Sequence, residues 1–178
     1  MLPLVVRRLS GAEDRLNVMA TQQQLSGLTL RQEEPLSVRG EVRTFNNRSG
    51  VGNRLVVSVF ARELCQRAGE DENLLELSGT ICKPPTLRTT PLGRTICDMI
   101  LAVNRRYGRA DYLPCIAWGS LAHHCGSLSV GDPLHLTGRL QSRTYTKLLE
   151  GHAEERTAFE VSIMSLNQEE AEKKEEGI

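Results

Sequence analysis

Eight stretches of the chain alternate apolar and polar residues or are dense in β-branched ones: Leu2–Arg7, Leu36–Arg43, Arg54–Ala61, Leu74–Cys82, Thr95–Val103, Tyr112–Trp118, Leu134–Gln141 and Ala158–Leu166. A period of two sends successive side chains to opposite faces, so each stretch predicts a strand with one buried side. Turn chemistry separates them at Asn46-Asn47-Arg48-Ser49-Gly50, Pro84-Pro85, Pro91-Leu92-Gly93, Gly131-Asp132-Pro133 and Glu150-Gly151. Two short segments, Gln22–Leu28 and Ser120–Leu128, read as helices between strands. Many short strands joined by Gly/Pro turns predict a barrel or a sandwich.

The second half runs strand, hairpin loop, strand, strand, short helix, strand, long loop, strand. That is the order of an OB-fold, a five-stranded Greek-key barrel with a helix between its third and fourth strands. The long loop is expected between Tyr145 and Arg156.

The first half repeats this order. LVVRRLSGAEDRL (4–16) lies against LAVNRRYGRADYL (101–113), EEPLSVRGEVRTF (33–45) against GDPLHLTGRLQSR (131–143), and VSVFA (57–61) against VSIMS (161–165). Three matches in order argue duplication. The first copy has no counterpart of 75–100 beyond Met1-Leu2-Pro3, so it lacks a first strand and leaves a sheet edge or barrel seam open. The expected class is all-β: a tandem OB-fold with one short helix in each copy, the first copy truncated. Residues 1–70 form a degenerate OB-like domain, 74–166 a complete one, and 167–178 an acidic flexible tail.

Composition narrows the function. Lys+Arg and Asp+Glu both number 22, which excludes a strongly basic binder but not a basic face. From Glu169 onward five glutamates face two lysines, a net of −3, so the rest carries +3. No apolar run is long enough for a membrane helix, and the apolar residues of MLPLVVRRLSG precede its arginines, the reverse of a secretory signal. A cytoplasmic, nucleoid-associated protein with no membrane partner is expected. The odd set of five cysteines fits reduced thiols, and the spacing of Cys115, His123, His124 and Cys125 matches no zinc pattern. Neither a metal, a cofactor nor a catalytic group is expected, since no Walker, HExxH or GxSxG motif occurs.

Four blocks of the second copy, TICKPPTLRTTPLGRTICDMILAVNRRYG, ADYLPCIAWGSLA, GDPLHLTGRLQSRTYT and RTAFEVSIMSL, carry a resemblance over about 74–166. In order and spacing they resemble the bacterial single-stranded DNA-binding protein family. The resemblance implies an OB-fold, single-stranded DNA as partner without sequence preference, and assemblies of four OB domains, here a homodimer. It also implies base stacking by Trp118, Tyr112 and Tyr145, with Tyr107 matching through a loop of variable length. The residues agree independently. The one Trp and all three Tyr lie between 107 and 145, and stacking needs only a π-face. The alternative role for them is core. Phe60 and Phe159, in final-strand runs, read as core.

Cations must accompany stacking. Candidates for phosphate contacts are Arg88 and Arg94 on the first hairpin, and Arg105, Arg106 and Arg109 in the next loop. Arg139 and Arg143 on the fourth strand, with Lys147 and Arg156 around the long loop, complete the set. The first copy has Arg15, Thr21 and about Asn47 opposite Tyr112, Trp118 and Tyr145, and no aromatic opposite Tyr107, so its stacking set is lost; Arg39, Arg43 and Arg48 remain for phosphates. The end, EEAEKKEEGI, departs from the family's acidic tip in its lysines and in closing on Ile178, which weakens recruitment of replication or repair proteins. The function expected is coating of single-stranded DNA in replication, recombination or repair. The rival is an OB-fold interaction or accessory module without DNA binding of its own.

Overall fold

The computed structural model describes residues 1–31, 33–49 and 52–167. In chain order they form β1 (Leu2–Arg7), β2 (Glu13–Met19), α1 (Gln22–Ser26), β3 (Leu36–Asn46), β4 (Leu55–Gln66), β5 (Leu75–Ile81), β6 (Thr86–Thr89), β7 (Thr95–Asn104), a 3₁₀ turn (Arg106–Gly108), β8 (Ala110–Trp118), α2 (Ser120–Gly126), β9 (Pro133–Leu149) and β10 (His152–Leu166). The acidic tail expected over 167–178 lies outside the described residues from 168 onward. No helix among the described residues is long and apolar enough to cross a membrane.

The chain divides into two compact units. One is Met1–Asn73 with Leu140–Glu160; the other is Leu74–Arg139 with the strand from Val161. The first unit thus takes in the segment 140–160. That segment is also no loop: β9 continues to Leu149 and β10 starts at His152, around a turn in which Gly151 takes φ +90°. Its base is fastened within the first unit. Ser142 N–H donates to Asp14 Oδ1 at 2.8 Å, Arg15 N–H donates to Ser142 Oγ at 2.7 Å, and the Asn73 amide bridges the Leu140 N–H and carbonyl.

In the second unit the strand order is β5-β9-β10-β8-β7-β6, and β5 also pairs with β7. Five strands therefore close on themselves, with β6 as a flap on β7. Leu75–Thr80 of β5 pair with Gly138–Pro133, while Thr80 and Ile81 pair with Ala102 and Leu101. Inward positions make the core: Ile81, Cys97, Met99, Leu101, Leu113, Cys115, Ala117, Leu136, Val161 and Ile163 are buried, with Ala122 and Cys125 of α2 over them. All five cysteines are free thiols. Burial pushes the Cys97 thiol up and that of Cys125 up to about 11.

The first unit has the same wiring without counterparts of β5 and β6. Its order is β1-β2-β4-β3, the middle pair parallel, as β10 and β8 are parallel in the second. No strand among the described residues pairs with β1 or β3 on their outer sides. The duplication extends to hydrogen bonds. Arg8 N–H donates to the Ala12 carbonyl, and Arg105 N–H to that of Arg109. Arg8 holds the fully buried Asp14, Arg105 the fully buried Asp111.

The third sequence match slides. Cys115 is level with Val161, whereas Val18 is level with Val59 rather than Val57. The glycines agree. A Cβ on Gly40 would meet the Phe60 carbonyl oxygen at 2.0 Å, and one on Gly138 that of Ser162 at 2.5 Å. Phe60 thus corresponds to Ser162, a shift of two residues. A two-residue slip keeps every side chain on its own face, so alternation alone does not reveal it.

Removing one partner of a buried pair strands the other's charge. Arg105→Ala should cost about 3–5 kcal/mol in urea unfolding, and Arg8→Ala a similar amount. Unchanged midpoints in both variants would contradict a structural role for the repeated pair.

Candidate nucleic-acid interface

The second unit's open face is set by strand parity. On β8 the odd residues Asp111, Leu113, Cys115 and Ala117 point inward and are buried. The even residues Tyr112, Pro114, Ile116 and Trp118 share the outer face. Antiparallel register brings Ala102, Ile100, Asp98 and Ile96 of β7 alongside them, and Thr86 and Arg88 of β6 beyond. Tyr112 is 52% exposed and Trp118 39%. Six residues at about 3.4 Å each separate them, roughly 20 Å along one strand. Between them Pro114 is half-buried and Ile116 is buried. The turn after Trp118 requires Gly119, whose φ of +59° and ψ of −126° fit no side chain comfortably.

Tyr107 sits at the tip of the turn after β7, 98% exposed and itself at φ +66°. Arg106 and Arg109 flank it in solvent. Arg94 is exposed at the end of the β6–β7 turn, its N–H received by Thr90 Oγ1 at 3.1 Å. All three arginines are exposed.

Other expected cations are engaged inside the protein. Arg105 is three-quarters buried and held by Asp111, whose hydrogen bond raises the guanidinium pKa against the opposing effect of burial. Its charge neutralises a core carboxylate. Arg88 pairs with Asp98, whose carboxylate lies on the same outer face as Trp118. Arg139 is half-buried, with its Nε unpartnered among the described residues. Gln141, on the same side of β9, is buried against Glu160 at 2.7 Å.

The hairpin of the first unit holds the remaining candidates. Arg143 lies over the Tyr145 ring, its Cζ 5.7 Å from the centroid, a cation–π pair on a strand rather than in a loop. Lys147 is exposed nearer the tip. Arg156 is mostly buried, donates to Glu154 at 2.8 Å and holds that carboxyl below its usual range.

Two exposed groups escaped sequence reasoning. Met164 of β10 lies outward beside a core of Val161 and Ile163, and Phe60, expected in a core, is 39% exposed. Phe159 is half-buried. The signal was present in the alternation of each strand, but the apolar character of both residues hid it. Among the described residues no three His, Cys, Asp or Glu side chains gather as a metal site.

A family model described as "Single-strand binding protein family" matches residues 72–167. Single-stranded DNA-binding protein 2 of Listeria innocua is 34% identical over 80 residues, 41% of this chain and 50% of that protein. Single-stranded DNA-binding protein A of Bacillus subtilis is 35% identical over 80 residues, 41% and 46% of the two chains. The chain spans about half the length of these curated relatives. A deletion variant of the single-stranded DNA binding protein from Thermus aquaticus superposes over 98% of this chain and 82% of that one, with a TM-score of 0.72 at 23% identity. At that identity the likeness speaks for the fold, across both copies.

The sole tryptophan makes the outer face directly observable. Acrylamide should quench Trp118 emission readily in the native protein, and Asp98→Asn should alter its response to iodide by removing a neighbouring negative charge. Emission and quenching typical of a buried indole would contradict the exposed platform.

Proposed function

Because the chain belongs to the single-strand binding protein family, we propose that it binds and coats single-stranded DNA, without sequence preference, during replication, recombination or repair. The observation that carries this is the outer face of β8. Tyr112 and Trp118 are both exposed there, at the two ends of one wall of the barrel. A soluble fold has no stabilising use for an exposed indole and phenol on one side of one strand. Unpaired bases do, because stacking removes two apolar surfaces from water whatever the base. Tyr107 extends the set. Arg94, Arg106 and Arg109 supply phosphate contacts, and Tyr145 with Arg143 and Lys147 gives the hairpin a stacking and charged surface of its own. Arg88, paired with Asp98, lines the same face. Arg139 contributes least, since it is partly buried, and Arg105 and Arg156 act by holding carboxylates. The protein is a binder rather than an enzyme, acting in the cytoplasm with the nucleoid.

The open sheet of the first unit supports a homodimer with four OB-like domains. No strand among the described residues covers the outer side of β1, which carries Leu4, Val5 and Val6. Two-fold pairing of such an edge satisfies both copies at once.

Trp118→Ala should weaken binding to poly(dT) by about 1–3 kcal/mol without loss of fold. Affinity should fall with salt at a log–log slope of about −0.7 per phosphate contacted. Unchanged affinity in the folded variant, or a flat salt response, would favour an interaction module instead.

Light scattering should give about twice the mass of one chain. A monomeric mass persisting to high concentration would remove the dimer.

A further inference from the structure

We propose that the first unit carries a second base-stacking surface, built from Phe45 and Phe60, for the same single strand of DNA. It rests on the reading above that the chain binds single-stranded DNA. Compared position by position with the second copy, the first has lost its aromatics: Arg15 and Thr21 stand where Tyr112 and Trp118 do. Compared face by face, it has not. On β3, Thr44 is buried and points inward, so Glu41, Arg43 and Phe45 point outward. Phe45 pairs with Val56, and Glu41 with Phe60, which is in turn level with Met19 on β2. Phe45 is 49% exposed and Phe60 39%, as open as Trp118. Gly40 and Gly138 mark equivalent places, which sets Phe45 opposite Arg143, two residues before the equivalent of Tyr145. A shift of two keeps a side chain on its face. Phe60 sits one strand over from the equivalent of β8. The aromatics have moved, but to the same side.

The charges around them select the occupant. Glu41 accepts hydrogen bonds from both Arg43 and Arg62, beside Phe60. Glu13 accepts from both Arg7 and Arg15 on the outward side of β2. The Glu41 cluster has two guanidinium groups for one carboxylate and so carries a net positive charge, whereas at Glu13 the Asp71 carboxylate, which accepts from the Arg7 backbone N–H at 2.7 Å, balances the second guanidinium. Arg62 is the exposed member of the positive cluster. Two flat apolar rings beside a net-positive cluster complement bases joined by phosphates. A second copy of the chain would present the same positive cluster to itself.

The test uses the full chain and Trp118 as a reporter at a distance from the changes in sequence. Phe45→Ala, Phe60→Ala and the double variant are titrated with an oligo(dT) just long enough to saturate Trp118 quenching, and with one several times longer. The double variant should retain its affinity for the short strand. It should lose roughly 5- to 150-fold on the long one, with fewer nucleotides occluded per chain. Phe45→Tyr with Phe60→Tyr should restore both. Light scattering and circular dichroism are read on the same samples. Unchanged long-strand affinity in a folded double variant overturns the proposal. So does a change of mass alone, which would make this face a contact between copies. If Trp118→Ala also leaves binding intact, the reading of the function has failed instead.

Discussion

A barrel wall stands only if each strand's backbone groups find a neighbour, and β5 gives one to both β9 and β7. It turns a curled sheet into a closed cylinder. The exposed rings of Tyr112 and Trp118 depend on that closure. Without it β7 and β8 would be free to twist, and an exposed aromatic on a twisting sheet would fold back onto the nearest apolar surface. The glycines at 79 and 138 belong to the same constraint. They let backbone pass within a distance that no Cβ allows, at Ala102 and Ser162 respectively.

The first unit shows what the wiring retains when that strand is missing. Topology, the Arg–Asp pair, the close glycine and the parallel central pairing are all kept. They are the features that fix the path of the chain. Part of the unit's remaining structure comes from the hairpin 140–160, tied to Asp14, Arg15, Asn53 and Asn73. A segment that began as a connection between two strands of one copy has become packing material for the other.

Strands with one wet and one dry side were legible in the sequence, because burial writes a period of two. β6 was missed because all four of its residues are exposed. β2 was not singled out because Asp14 occupies a core position and breaks the apolar pattern of EDRLNVM. The hairpin was read as a loop for a similar reason: residues 143–148 are almost all exposed, so nothing in their order distinguishes strand from coil. The stacking candidates were found by residue type. Which arginines were engaged was not legible, since a pairing such as Arg105 with Asp111 is made in space by a turn whose geometry no composition records.

The buried thiols bear on how the protein survives chemical stress. Oxidants attack the thiolate, and at neutral pH a thiol pushed up to about 11 is ionised roughly once in ten thousand molecules. Cys97, Cys115 and Cys125 are in addition shut away from solvent. Peroxide would meet a barrel core whose thiols are chemically quiet, while Cys65 is exposed, Cys82 half-buried and the Met164 thioether open to solvent. Oxidation would therefore fall on the surface sulfur first and leave the packing of the core as it is.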